Sequence, residues 1–446
     1  MTKSLISRRH FLVAGGTVTG SLVLGLPVVN IARAELADGT FGERQIGYFV
    51  EITPTGKIII GSNQPEIGQG QRTALPMMVA EVLDVVWEDL SIRQMPLGIL
   101  KTADGYTWKY GGQGVGGSTG LTSNWEFMRE VGATARQQLM RAAADRLGVS
   151  PQACRTRSGA VSCDAMGGEI PYADLVEDAA RLDMPEEAPP LKAMRDYQII
   201  GTDRKTIDAL DMVTGRSRFG LDTQVDGMRY AVIARSPILN GRVRSFDDTA
   251  AREMDGVLDV FRIEGPQPGE PYIIRASGVA VVATSTWAAL KGRDALEIDW
   301  EPGPNAGDSS EKFWQENAAM LETTGQIVTD DGDFEAAEAA ADTTVTHRYE
   351  VPFVSHQPME PQNCFAHVKE DSCHIIVPTQ MPSGASRAAA AVTGLPRENI
   401  RVDMTRVGGG FGRRLTNDYV AEAAMVSKQT GWPIQLVWTR EDDMRN

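Results

Sequence analysis

Three short runs of glycine, interleaved with Gln, Ser, Thr and Arg, constrain this chain more than any other feature. They are Glu66-Ile67-Gly68-Gln69-Gly70-Gln71, Tyr110-Gly111-Gly112-Gln113-Gly114-Val115-Gly116-Gly117-Ser118-Thr119, and Val407-Gly408-Gly409-Gly410-Phe411-Gly412-Arg413-Arg414. Glycine lets backbone N–H groups approach an anion closely, and a helix that starts just after such a run favours negative charge at its N-terminus. The first and third runs each lie between a predicted strand and a predicted helix. Gln, Ser and Thr add neutral donors, and Arg413 or Arg414 is placed to pair with a phosphate. Singly, each run reads as a turn. Together they predict a large phosphate-bearing ligand held from several sides. The Gly-x-x-x-x-Gly-Lys-Ser/Thr phosphate loop is absent, and Gly68-Gln69-Gly70 lacks the third glycine of a dinucleotide fingerprint.

The surrounding pattern predicts an α+β chain. Residues 47–61 alternate around Gly56 as a hairpin, and 73–83 carries an apolar helical face. Trp125–Leu147 reads as a long Ala-rich helix stopped by Gly148. Residues 181–205 are Pro-rich and acidic, as in a linker. From 214 to about 300 the texture changes to short β-rich runs (229–234, Val257–Ile263 and 278–284) and a helix over 286–296, consistent with an inserted α+β module. Strands are expected again over 343–351, 363–369 and 374–377, and helices over 383–393 and 417–430. With 45 glycines in 446 residues, tight turns are favoured over long bundles.

A formal net charge of −15, spread along the chain, argues against nucleic acid or anionic lipid as a partner. Cys154/Cys163 and Cys364/Cys373 have no metal-ligand spacing. Four buried thiols is the simpler expectation, with a local disulfide in either pair as the alternative for an exported protein. Export is itself expected. Arg8-Arg9-His10-Phe11-Leu12 resembles a twin-arginine signal, an apolar Gly-rich stretch follows, and Ala32-Arg33-Ala34 is a cleavage signal. Glycines and Pro27 make that stretch a poor permanent membrane span.

Five motifs in order carry a family resemblance: Ile67-Gly68-Gln69-Gly70, Gly116-Gly117-Ser118-Thr119, Met359-Glu360-Pro361-Gln362-Asn363, Pro378-Thr379-Gln380 and Gly408 to Arg414. From about residue 45 onward the chain resembles the large subunit of isoquinoline 1-oxidoreductase and related periplasmic aldehyde dehydrogenases, in the xanthine oxidase family. Behind the signal peptide read over 1–34, the resemblance implies a molybdopterin-binding segment over 35–205, an α/β hammerhead domain over 206–305 and a second molybdopterin-binding segment over 306–446. It implies a molybdenum hydroxylase of aldehydes or N-heterocycles, working in the periplasm with water as oxygen source. The cofactor would be molybdopterin cytosine dinucleotide, its dithiolene holding the molybdenum so that no protein side chain ligates the metal.

By the same resemblance Gln69 and Gly70 would meet the pterin, and Gly116, Gly117, Ser118 and Thr119 would line the dinucleotide phosphates. Gln380 would hydrogen-bond a molybdenum ligand, and Gly410, Phe411, Gly412 and Arg413 would form the loop beside the metal. His356 and Glu360 would line the substrate pocket, with a hydrogen-bonded core residue the equal alternative for His356. Leu415 stands where purine-oxidising relatives place a Glu, which argues against purines. The [2Fe–2S] clusters would belong to a small partner subunit, with a cytochrome c subunit as a further candidate. The general-base Glu is expected beyond Asn446; Gly167-Gly168-Glu169 imitates its motif poorly and reads as a structural turn. Two other readings stand beside this one: a truncated, inactive fragment of such a subunit, and an exported small-molecule-binding protein whose glycine runs are only turns.

Overall fold

The computed structural model describes residues 13–16, 22–25, 49–53, 55–103, 105–164, 167–183, 185, 189–265 and 277–445. Arg8, Arg9 and the Ala32-Arg33-Ala34 site lie outside the described residues. The apolar stretch between them supplies two strands, Val13–Gly16 and Leu22–Gly25, at the edge of a five-stranded sheet.

That sheet belongs to the first of two large cores. The expected hairpin pairs Val50–Ile52 with Ile58–Ser62 around Gly56, whose φ of 83° a turn residue needs. Ile58–Ser62 then pairs in parallel with Leu90–Gln94. Parallel neighbours require a crossover, and the Gln71–Leu83 helix provides it. This helix starts directly after the first glycine run. It packs against Trp125–Leu147, which ends at Gly148 as its sequence predicts. The two axes approach so closely at Gly132 that a Cβ there would lie 2.6 Å from the Val79 carbonyl oxygen. Phe49, Ile60, Leu75, Val79, Val131 and Leu139 fill the interface without exposure.

A small sheet of Cys154–Arg157, Ala160–Cys163 and Glu169–Pro171 closes this half. Cys154 and Cys163 form a disulfide across it, whereas Cys364 and Cys373 are buried free thiols. The expectation of four thiols therefore fails for the first pair and holds for the second. The Pro-rich 181–205 stretch is irregular but pinned. Glu81 at the end of the Gln71–Leu83 helix accepts from Lys192 Nζ at 2.8 Å and from the N–H groups of Gln198, Ile199 and Ile200 at 2.9, 2.6 and 2.9 Å.

The second core lies on a seven-stranded mixed sheet. Its order is Val257–Ile263, Gly278–Ala283, Arg229–Arg235, Ile434–Val437, Asn363–Val368, Cys373–Val377 and Ile400–Met404. Arg229–Arg235 pairs in parallel with Ile434–Val437, so the 206–305 stretch continues one sheet with the end of the chain. Helices Pro382–Thr393 and Asp418–Thr430 pack on this core with Ala385, Ala389, Tyr419, Val420 and Ala423. A satellite core under Thr286–Asp294 fills the far end.

One expected element does not form. The stretch 343–351 forms no strand and pairs with none, and Val345, Tyr349 and Val351 are 70%, 86% and 84% exposed. Its alternation is that of a half-buried strand, but no neighbouring strand among the described residues offers it an edge.

Candidate functional site

The three glycine runs meet on the seam between the two large cores. The hairpin of Ile99–Thr102 and Gly105–Trp108 leaves the first half and docks on the second core, where Arg397 lies 5.2 and 5.0 Å from the Tyr106 and Trp108 rings. The second glycine run follows at once and returns to the Trp125–Leu147 helix, so it must cross the seam. The third run arrives from Ile400–Met404 and reaches the first through Val407 N–H to the Glu66 carbonyl, 3.1 Å.

Gln380 fastens the second run to the third. Its Nε2 donates to the Val115 carbonyl at 2.8 Å, its Oε1 accepts from Gly412 N–H at 2.9 Å, and its own carbonyl accepts from Val115 N–H at 2.9 Å. The side chain is 3% exposed. Gly410 must lack a side chain, because a Cβ would sit 2.6 Å from Gln380 Oε1. Gln64 clamps the second run from the other side, accepting from Gly114 N–H at 2.8 Å and donating to the Gly112 carbonyl at 3.2 Å.

The charged residues of the runs are committed inside the protein, against the expectation of phosphate pairing. Arg414 is fully buried and donates to the carbonyls of Pro378 (2.7 Å), Glu360 (2.6 Å) and Gly409 (3.0 Å). Arg413 forms a two-pronged pair with Asp418 at 2.9 and 2.8 Å. Burial works against the Arg413 charge, but Asp418 outweighs it and holds the guanidinium protonated. Glu360 is buried as well. It accepts from Gly408 N–H at 2.8 Å, Leu221 N–H at 3.2 Å and Asn363 Nδ2 at 3.0 Å, so it braces the third run rather than facing an open pocket. His356 is exposed, with Nε2 3.8 Å from where a Gly412 Cβ would stand.

The first run is also occupied by the chain's own anion. The Glu66 carboxylate accepts from the N–H groups of Gly68 (2.7 Å), Gly70 (3.1 Å) and Arg72 (2.9 Å), filling the start of the Gln71–Leu83 helix. A carboxylate there satisfies donors and the helix dipole together. Gln69 stays exposed at the tip.

What remains open is the 116–119 turn. Gly117, Ser118 and Thr119 are exposed, and Gly117 and Ser118 have consecutive φ values of 58° and 60°. Beside Gly120, which follows directly, the buried Gln71 Oε1 has no hydrogen-bond partner, nor does Arg72 Nε in the next residue. Among the described residues Arg72 has no acidic partner. A polar ligand with a donor group for Gln71 Oε1 fits this end of the seam. At the other end Phe411 stands 68% exposed at φ 52°, a strained value for an aromatic residue. Glu169 lies on the small disulfide-bonded sheet.

Sequence reasoning found the runs and Gln380. It missed Gln64, Glu66 and the residues that brace Arg413. The polar stretch Asn63-Gln64-Pro65-Glu66, buried throughout, was the available signal.

Two family models, each described as a molybdopterin cofactor-binding domain, match residues 26–214 and 318–446, together well over half of the chain. The chain belongs to the molybdopterin cofactor-binding family. Both matched segments of this molybdopterin-binding chain contribute to the seam. It is 28% identical to the membrane-bound aldehyde dehydrogenase [pyrroloquinoline-quinone] of Gluconacetobacter polyoxogenes, over 99% of this chain and 56% of that protein. It is 28% identical to isoquinoline 1-oxidoreductase subunit beta of Brevundimonas diminuta, over 99% of this chain and 60% of that one. The xanthine dehydrogenase molybdenum-binding subunit of Escherichia coli O157:H7 is 30% identical over 53% of this chain and 36% of its own length. The chain thus spans little more than half the length of the first two relatives.

Proposed function

We propose that the seam holds molybdopterin, as the cytosine dinucleotide, and that the protein is the molybdenum-cofactor subunit of a hydroxylase of aldehydes or N-heterocycles. The observation that carries this reading is the convergence of three separated glycine runs, fastened by Gln380, beside the exposed 116–119 turn. The unpartnered Gln71 Oε1 beside Gly120 fits a polar ligand. Gly116, Gly117, Ser118 and Thr119 would receive the phosphates through backbone N–H groups and the Ser118 hydroxyl. Gln69 and Gly70 would meet the pterin from the tip of the first run. Gly410, Phe411 and Gly412 would stand beside the metal, and Gln380 would hold that loop at its distance. Arg413, bound to Asp418, positions the loop from behind.

When bound, the cofactor supplies a redox centre at which a substrate C–H carbon becomes C–OH with oxygen from water, releasing two electrons and two protons. This chain's own residues orient that group and shape its surroundings. Exposed Phe411 and Leu415 offer apolar contact to a flat aromatic or aldehyde substrate, and Leu415 in place of a carboxylate disfavours purines. The electrons would pass to a small subunit with two [2Fe–2S] clusters, since this chain has no iron–sulfur ligand pattern.

Export to the periplasm by the twin-arginine route is part of the proposal, supported by Arg8-Arg9 and Ala32-Arg33-Ala34. Among the described residues no helix is long and apolar enough to cross a membrane. The test of the cofactor reading is to purify the chain from a host that makes molybdopterin cytosine dinucleotide and to assay molybdenum, pterin and CMP released by acid. All three are expected in equal amount. Pterin without CMP would restrict the reading to plain molybdopterin, and the absence of all three from folded protein would overturn it.

A further inference from the structure

Among the described residues the hairpin of Ile99–Thr102 and Gly105–Trp108 is a sheet of its own, with no third strand. Two strands alone have little stability in water, so what the hairpin docks on sets its position. Its base is stapled to the second glycine run. Lys109 N–H donates to the Gly98 carbonyl at 2.7 Å, and Gln113 Nε2 reaches back to the Pro96 carbonyl at 2.8 Å. A Cβ on Gly98 would stand 2.6 Å from the Tyr110 ring, so the run also packs against the entry to the hairpin. Hairpin and residues 109–113 therefore shift together. The next two residues make the contacts across the seam, Gly114 N–H to Gln64 Oε1 at 2.8 Å and Val115 N–H to the Gln380 carbonyl at 2.9 Å.

Arg397 grips the hairpin on the second core. Its guanidinium is fixed first on the Pro382–Thr393 helix, where Nε and Nη2 donate to Ser386 Oγ at 3.1 and 2.8 Å and Nη2 also donates to the Ser383 carbonyl at 2.8 Å. The guanidinium so held lies 5.2 Å from the Tyr106 ring and 5.0 Å from the Trp108 ring. Burial, and then the nearby Arg387, work against its charge. Among the described residues no carboxylate pairs with it, so the faces of the two rings supply the attraction that a carboxylate would give elsewhere. Lys101, opposite Tyr106 in the hairpin, adds only a loose and exposed pair with Glu398 at 3.7 Å.

We infer that Arg397 is a positioning residue, which holds the hairpin on the second core and through it sets where the second glycine run crosses the seam. Its bearing on the cofactor rests on the function proposed above, in which the Gly116 to Thr119 turn that would receive the phosphates continues directly from the positioned segment.

The test is hydrogen–deuterium exchange on the full chain, with the pterin content of the same preparations as a second readout. In Arg397→Ala the Gly114 and Val115 amides should exchange about tenfold faster, while those of Trp125–Leu147 and Asp418–Thr430 keep their wild-type rates, and pterin bound per chain should fall. Tyr106→Leu removes a ring face at a position that is 38% exposed and keeps an apolar side chain there. It should give the same pattern more weakly. The double variant should match Arg397→Ala alone, because both changes remove one contact. Arg387→Ala, at an exposed arginine, should leave exchange at Gly114 and Val115 unchanged. Unchanged Gly114 and Val115 rates in Arg397→Ala, equal acceleration in Trp125–Leu147, additive effects in the double variant, or an Arg387→Ala effect as large as that of Arg397→Ala would each overturn the inference. If the wild-type protein carries no pterin, the cofactor reading falls, and the exchange rates still decide the role of Arg397.

Discussion

Gln380 joins two glycine runs through one amide, so a change of its chemistry at constant size reads out the whole seam. In Gln380→Glu the donor to Val115 is lost and a carboxylate faces a carbonyl oxygen. A loss of about 1–3 kcal/mol in urea denaturation is expected, together with lower pterin content. Glu66→Gln keeps the acceptor for Gly68 and Gly70 but puts an amide N–H against the Arg72 N–H, and a cost of about 1–3 kcal/mol is expected in the same measurement. Part of the geometry at this scale was legible in the sequence: residue types and their grouping marked the three glycine runs and Gln380, which the fold brings together. The commitment of Arg413 and Arg414 was not. Asp418 and Glu360 are ordinary acids in the sequence, and only the fold shows that one holds Arg413 and the other braces the run above Arg414. The same holds for Glu66, whose carboxylate fills the helix start that sequence alone assigned to a ligand anion.

Among elements, the helix pair and its pinned linker make separate predictions. Gly132→Val would force a side chain against the Val79 carbonyl, and the cost of overpacking is about 1–3 kcal/mol, read from thermal or urea unfolding. Glu81 ties the Pro-rich stretch to the core. Burial alone would raise its pKa, but the Lys192 ammonium and three backbone N–H groups outweigh burial and hold the carboxyl below the usual glutamate range. A lowered folded-state value means that its stabilisation is fully present above about pH 4.3 and is lost as pH falls through the folded value. Glu81→Gln should therefore destabilise the protein by about 3 kcal/mol at pH 7, with a gap to wild type that narrows toward pH 3. Long elements with caps were readable, as Trp125–Leu147 with Gly148 shows. Cys154–Arg157 was not, because four residues alternating with arginine carry too little apolar signal. The strand expected over 343–351 failed for the opposite reason: its pattern is right, but a strand exists only when an edge receives it.

For the molecule as a whole, the 206–305 stretch is coupled to the third glycine run through one buried cluster. Trp438 lies between the Arg235 and Arg413 guanidiniums, 3.9 and 5.1 Å from its ring, and its Nε1 donates to Glu422, which also pairs with Arg235 at 2.8 Å. The cluster joins the Arg229–Arg235 strand to the third glycine run, so the 206–305 stretch supports the seam although it contributes no candidate cofactor contact. Trp438→Ala should cost about 3–5 kcal/mol in urea unfolding and speed amide exchange in the 408–414 loop more than in the Trp125–Leu147 helix. Cleavage after Ala34 would remove the Val13–Gly16 and Leu22–Gly25 strands and leave Val50–Ile52 as a sheet edge; N-terminal sequencing of protein recovered from the periplasm should begin at Glu35. The central claim is that the seam is a cofactor site rather than three turns. Its most direct test is the molybdenum and pterin content of the purified chain beside that of Gly410→Val, which drives a side chain into Gln380. Molybdenum and pterin bound in equal amount to the wild type and falling together in the variant are the predicted result; folded wild-type protein that carries neither would contradict it.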